Sequence, residues 1–144
     1  MMEEGFETFE HGADIGIRGY SSTVEGSFCQ CLRAMSSQMI DGEMPQGMRW
    51  DVRIEVELYA QDLTSLLLKW LNSLLAEGDI HGAVFWECHI TISLQEEPLC
   101  LRGEVYGTSL GFLERGVEVK GATYTEAGVF LHQGRWVAQC VIDM

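Results

Sequence analysis

The sequence predicts an α+β fold, a mainly antiparallel sheet with two helices packed on one face, and three observations predict it. Two stretches in the N-terminal half carry apolar residues at helical spacing. Several other stretches alternate apolar and polar residues, as strands with one wet face do. Turn residues separate these stretches throughout, and there is no repeat, linker or low-complexity tract.

The bulk numbers bound the answer. A chain of 144 residues suits a single domain, 1–144, with a core that needs no staples. Its 22 acidic and 9 basic residues leave a formal charge of −13. Nucleic acid is repelled by such a surface, so no direct stable nucleic-acid binding is expected. A basic protein partner or a divalent cation suits the charge better. The five cysteines are scattered without a CxxC and read as reduced, mostly buried thiols, which places the protein in the cytoplasm. No basic segment precedes an apolar run at the N-terminus, so no signal peptide is read. No apolar run is long enough to span a membrane.

The elements follow in order. Residues 6–10 alternate and form the first strand; residues 14–20 form the second, with Ile15 and Ile17 on one face. Between them lies the corner His11-Gly12-Ala13-Asp14, where Gly12 and Ala13 suit a tight turn or bulge. Ser22 with Glu25 reads as a capping box. Val24, Phe28, Cys31, Leu32 and Met35 then give a helix of about 16 residues that stops near Ile40, Asp41 and Gly42. Asp41 sits at a helix C-terminal edge, where an anion needs a cation or water.

Residues 50–58 form an amphipathic strand, with Trp50, Val52, Ile54, Val56 and Leu58 inward. Asp62 or Gln61 caps the second helix, whose broad stripe of Leu63, Leu66, Leu67, Trp70, Leu71 and Leu74 is expected to run to Ala76 and break at Gly78. That stripe is wide enough to pack across the sheet and against the first helix. Residues 84–94 and 99–107 form a hairpin. A short helical turn is expected within 109–115, followed by strands at 117–124, 128–132 and 136–143. The order is approximately ββαβαβββββ.

No phosphate-binding glycine loop, nucleophile elbow or zinc-spaced histidine set is present. Two features stand out. Asp143 is the penultimate residue, beside the terminal carboxylate of Met144, and Asp14 opens the second strand. If those strand ends meet, Asp14, Asp143 and the chain terminus form a hard oxygen site of the kind calcium accepts, with magnesium the alternative. The competing reading leaves Asp143 as a solvated tail. Lys120 lies among valines in a strand-like run, where an ammonium must snorkel or pair; the plain alternative is an exposed strand-face lysine.

These blocks resemble the archease family. The resemblance rests on Phe9-Glu10-His11-Gly12-Ala13-Asp14-Ile15-Gly16-Ile17, Met39-Ile40-Asp41, Asp62-Leu63-Thr64-Ser65-Leu66-Leu67-Leu68-Lys69-Trp70-Leu71-Asn72, Glu118-Val119-Lys120-Gly121-Ala122-Thr123-Tyr124 and Val141-Ile142-Asp143, in order over nearly the whole chain. It implies a small α+β protein that is not itself an enzyme. Such a protein assists an RtcB-type RNA ligase, speeding guanylylation and turnover and broadening nucleotide use during tRNA splicing. It further implies a calcium site at Asp14, Asp143 and Met144, a functional lysine at Lys120 and an acidic position at Asp41; beside that site His11 reads as support to the turn, by packing or hydrogen bonding, and not as a ligand. The chain departs from the family pattern at Gly12, where a threonine is usual, and in residues 113–117, which lack a usual histidine. Alternatives to an activator are a free-standing metal-dependent hydrolase, for which no nucleophile signature is visible, and a chaperone-like binding module.

Overall fold

The structure is a computed structural model and describes residues 3–144. In chain order the elements are β1 (Gly5–His11), β2 (Asp14–Ser21), α1 (Val24–Met39), β3 (Val52–Ala60), α2 (Leu63–His81), β4 (Ala83–Ser93) and β5 (Leu99–Ser109). A 3-10 turn at Leu110–Phe112, β6 (Gly121–His132) and β7 (Arg135–Asp143) complete the chain. The strands form two antiparallel sheets, β1-β2-β7-β6 and β3-β5-β4. The expected α+β class with two helices and antiparallel strands is borne out. The structure adds that the strands divide over two sheets and that each helix touches both. Alternation shows which face of a strand is dry, but not which strand it pairs with.

The position of α1 between sheets explains its burial. Phe28, Cys31, Leu32 and Met35 are buried, but so are Ser27, Gln30 and Ser36. Those polar groups are paired: Ser36 Oγ donates to the Phe85 carbonyl at 2.7 Å and Gln30 Nε2 to the Glu4 carboxylate at 3.1 Å. α2 contributes Leu66, Leu67, Trp70, Leu71 and Leu74, and Trp70 Nε1 donates to the Phe28 carbonyl at 3.0 Å, tying α2 to α1. Against the other sheet, α1 approaches β2 so closely that a Cβ on Gly19 would lie 2.1 Å from the Cys31 amide nitrogen.

Several local expectations are corrected. The N-cap of α1 is Thr23, whose Oγ1 accepts from the Gly26 amide at 3.0 Å. Glu25 does not close a capping box with Ser22; its carboxylate accepts from the Ile92 amide at 3.1 Å. α2 is capped by Asp62, which accepts from Ser65 N at 2.8 Å. It passes through Gly78 and ends at His81, with Gly82 left-handed at φ 61° as its cap. Gly78 is kept by packing: a Cβ there would meet the Ala83 carbonyl oxygen at 2.8 Å. The two strands expected at 117–124 and 128–132 are one strand, β6, with an irregularity between Thr123 and Gly128.

Residues 117–120 lie outside β6. The chain before it instead runs along the end of α1: Asp41 N donates to Glu114 O at 2.9 Å, Gly116 N to Met39 O at 3.0 Å and Val117 N to Gln38 O at 2.8 Å. The bonds from Gly116 and Val117 satisfy the last two carbonyls of α1, whose C-cap Ile40 is extended. Cys29 and Cys88 are joined in a disulfide linking α1 to β4, so the reading of all five cysteines as reduced is corrected. Their spacing of 59 residues along the chain gave no hint of the pairing. Cys31, Cys100 and Cys140 are free and buried. Burial pushes the Cys31 thiol well up and the Cys140 thiol to about 12, so both are protonated and poor nucleophiles.

Candidate metal centre

The site starts from a hairpin. Gly12 and Ala13 make the two-residue turn between β1 and β2, and Gly12 has φ 61°, the left-handed conformation that such turns require. With nothing within 4 Å of its would-be Cβ, this position demands backbone freedom and no packing. The turn sets His11 directly opposite Asp14.

The register of β2 with β7 then brings the chain's far end to this corner. Ile15 pairs with Ile142 and Ile17 with Cys140. Continuing that register by one residue would set Asp14 opposite Asp143. Residues opposite each other on antiparallel strands share a face, with Cβ atoms about 5 Å apart. Ile17, Cys140 and Ile142 are fully buried on the inner face. Alternation therefore puts Asp14 and Asp143 together on the outer face, with Asp14 half-buried and Asp143 exposed. On the other side of β7, Gly121 pairs with Asp143. Lys120 N donates to the Asp143 carbonyl at 2.7 Å. Asn72 of α2 holds this end of β6 by donating to Ala122 O at 3.1 Å and accepting from Ala122 N at 2.9 Å.

Two carboxylates facing each other across a strand pair repel. A divalent cation between them would remove that repulsion, and Met144 follows directly on Asp143. This donor set fits calcium better than zinc, which prefers nitrogen and sulfur. No three His, Cys, Asp or Glu side chains converge as a ligand set among the described residues.

The structure thus brings His11, Asp14, Asp143, Met144 and the backbone of Lys120 to one corner. The Lys120 side chain is exposed, and its neighbour Val119 is the buried residue, so the lysine is not enclosed among the valines. Asp41 is also exposed, at the end of α1. Its amide is bonded to Glu114, and the connection 114–120 runs from there to Asp143. That connection is the feature sequence reasoning missed. Its signal was Gly116, where a Cβ would lie 2.6 Å from the carbonyl oxygens of Gln38 and Ile40. The same connection lines a cavity of about 350 Å³ with Met39, Leu75 and Asp79.

Comparison with known proteins agrees with this architecture. Residues 6–144 match the model of the Archease protein family (MTH1598/TM1083). The chain is 36% identical over 142 residues to protein archease of Pyrococcus furiosus, covering 96% of this chain and 98% of that protein. It is 37% identical over 142 residues to protein archease of Pyrococcus abyssi, with the same coverage of 96% and 98%. The solution structure of Methanobacterium thermoautotrophicum protein 1598 superposes with a TM-score of 0.82 at 28% identity, covering 97% of this chain and 99% of that one. An archease from Thermotoga maritima, described as a possible chaperone, shares the fold at TM-score 0.60 and 16% identity, over 96% of both chains. With the hairpin corner, the returning last strand and a family match over almost its full length, the chain belongs to the archease family.

Proposed function

We propose that this chain is an accessory protein, not a free-standing enzyme, that stimulates guanylylation and turnover of an RtcB-type RNA ligase in tRNA splicing or RNA repair. We place the work at the β1–β2 corner, through a divalent cation, calcium or magnesium, held by Asp14, Asp143 and Met144. The observation that carries this reading is the β2–β7 register, whose end pair Ile15–Ile142 is followed on each strand by an aspartate, Asp14 and Asp143. The choice of partner comes from the resemblance of the sequence blocks to the archease family.

In this reading the cation supplies positive charge at a face that would otherwise repel a triphosphate. His11 orients the turn by its position opposite Asp14. The exposed Lys120 offers an ammonium to a phosphate or carboxylate of the partner. Its backbone bond to Asp143 fixes its distance from the ligands. Asp41 lies on the route from α1 along the connection 114–120 and serves as an acidic contact for a basic partner surface. The setting in this reading is the cytoplasm; among the described residues no helix is long and apolar enough to cross a membrane.

The test is multiple-turnover ligation by the cognate ligase with the wild type and with Asp14→Ala, Asp143→Ala and Lys120→Ala, alongside a calcium titration. The expected result is loss of stimulation in all three, and weaker calcium binding in the two aspartate variants. Full stimulation by all three variants refutes the site. Turnover of an RNA substrate with no ligase present refutes the accessory role.

A further inference from the structure

The outer face that carries Asp14 and Asp143 holds a second group of side chains nearer its other end. Glu7 stands opposite Arg18, and Arg18 opposite Gln139. Tyr20 and Phe130 flank Val137 from the two neighbouring strands, and His132 stands opposite Arg135. Together these line a groove of about 350 Å³. It is separate from the metal centre: Gln139 and Asp143 are four strand residues apart, about 13 Å.

The charge in this groove runs against the rest of the molecule. In a chain of net charge −13, it gathers two guanidiniums and an imidazole around one carboxylate. Arg135 lies over the Tyr20 ring, 4.2 Å from its centroid, and has no carboxylate partner among the described residues. Arg18 lies over the Phe9 ring at 4.5 Å, and its Nε donates to Gln139 Oε1 at 2.8 Å. Its contact with Glu7 is a loose 3.8 Å between partly exposed groups. Pairs of that kind contribute little. A guanidinium stacked on a ring keeps its N–H groups in one plane, ready to fork onto a carboxylate or phosphate. Beside them, Phe130 leaves 41% of its surface exposed next to the buried Val137. The volume is at the small end for ligand pockets, which suits a small molecule.

We infer that this groove binds a small anion with an apolar or aromatic body. The carboxylate or phosphate head pairs with Arg135 and Arg18, and the body packs on Phe130 and Val137. Glu7 is the one group that opposes such a ligand. The inference does not rest on the ligase reading.

The experiment titrates the full chain with phenyl phosphate, phenylacetate, inorganic phosphate and benzyl alcohol, following backbone amide shifts by NMR. The expected result is saturable binding of a phenyl anion, with shifts centred on residues 18–20, 130–132 and 135–139. Arg135→Gln weakens it at least tenfold. Phe130→Ala weakens the phenyl anions and leaves inorganic phosphate unchanged. Glu7→Gln, which removes only the opposing charge, tightens binding severalfold. Preference between the two phenyl anions identifies the head group, and either preference supports the site. The inference is overturned if neither phenyl anion saturates at millimolar concentration, or if benzyl alcohol or inorganic phosphate binds as tightly as the phenyl anions. Binding that ignores both Arg135→Gln and Glu7→Gln in variants with native spectra overturns it as well.

Discussion

Replacing Gly19 by alanine tests the contact that seats β2, the strand carrying Asp14, on α1. The added Cβ would lie 2.1 Å from Cys31 N, and 2.6 Å from both the Gln30 carbonyl carbon and Ser27 O. All three are helix backbone, so no side chain can swing aside. Ordinary contact begins near 3.4 Å, so α1 and β2 must separate by about 1 Å or more. Overpacking of this kind costs about 1–3 kcal/mol. With three rigid contacts we expect the upper end, about 3 kcal/mol. For a chain of this length that lowers the melting temperature by roughly 6–12 °C. The assay is urea unfolding, reading the midpoint at constant slope. Gly12→Ala is the control. Its Cβ meets nothing within 4 Å, so only the φ of 61° is penalised, by about 1–2 kcal/mol. A Gly19→Ala variant within about 0.5 kcal/mol of wild type, the scatter of ordinary surface substitutions, refutes the close-approach argument.

Three further outcomes are expected. Asp143→Asn removes one of two facing carboxylates, so it should raise the melting temperature in chelator and abolish the further rise that calcium gives wild type; a calcium-induced rise equal to wild type contradicts the proposed ligand set. Asn72→Ala loses both bonds to the Ala122 backbone, and should destabilise by about 1 kcal/mol and speed amide exchange at the start of β6, read by hydrogen exchange. Stability should also fall on acidification. The Ser109 hydroxyl and amide hold the Asp51 carboxyl below its ordinary value, the Tyr59 hydroxyl and Arg102 do the same for Glu57, and Arg53 and the Tyr106 hydroxyl for Glu104. A lowered carboxylate contributes fully above its unfolded value and loses that contribution as pH falls through the folded one. The loss should therefore begin near pH 4 and continue below it, with a shallower slope in Asp51→Asn, followed by urea midpoints from pH 6 to 2.5.

Much of this protein was legible in the sequence because its periodicities are clean. The stripe from Leu63 to Leu74 can only be a helix with a wide dry face, and 52–58 can only be a strand with one wet face. The turn at Gly12-Ala13 and the family itself were visible as residue types in order. Each of these depends on neighbours in the chain or on a motif.

The tertiary structure decided what depends on partners distant in sequence. Which strands stand beside Asp143 turned on β7 inserting between β2 and β6, which no local pattern encodes. Gly78 looked like a helix end because glycine lacks helix propensity, yet it is kept inside α2 by the Ala83 carbonyl. Residues 117–120 alternate like a strand, but their predecessors spend their amides on the carbonyls at the end of α1. Cys29 meets Cys88 because α1 lies against β4. Arg18 and Arg135 share a groove because the register of three strands lines them up. Local sequence sets the period and the dry face of each element, whereas pairing and register are settled by the collective burial of the core.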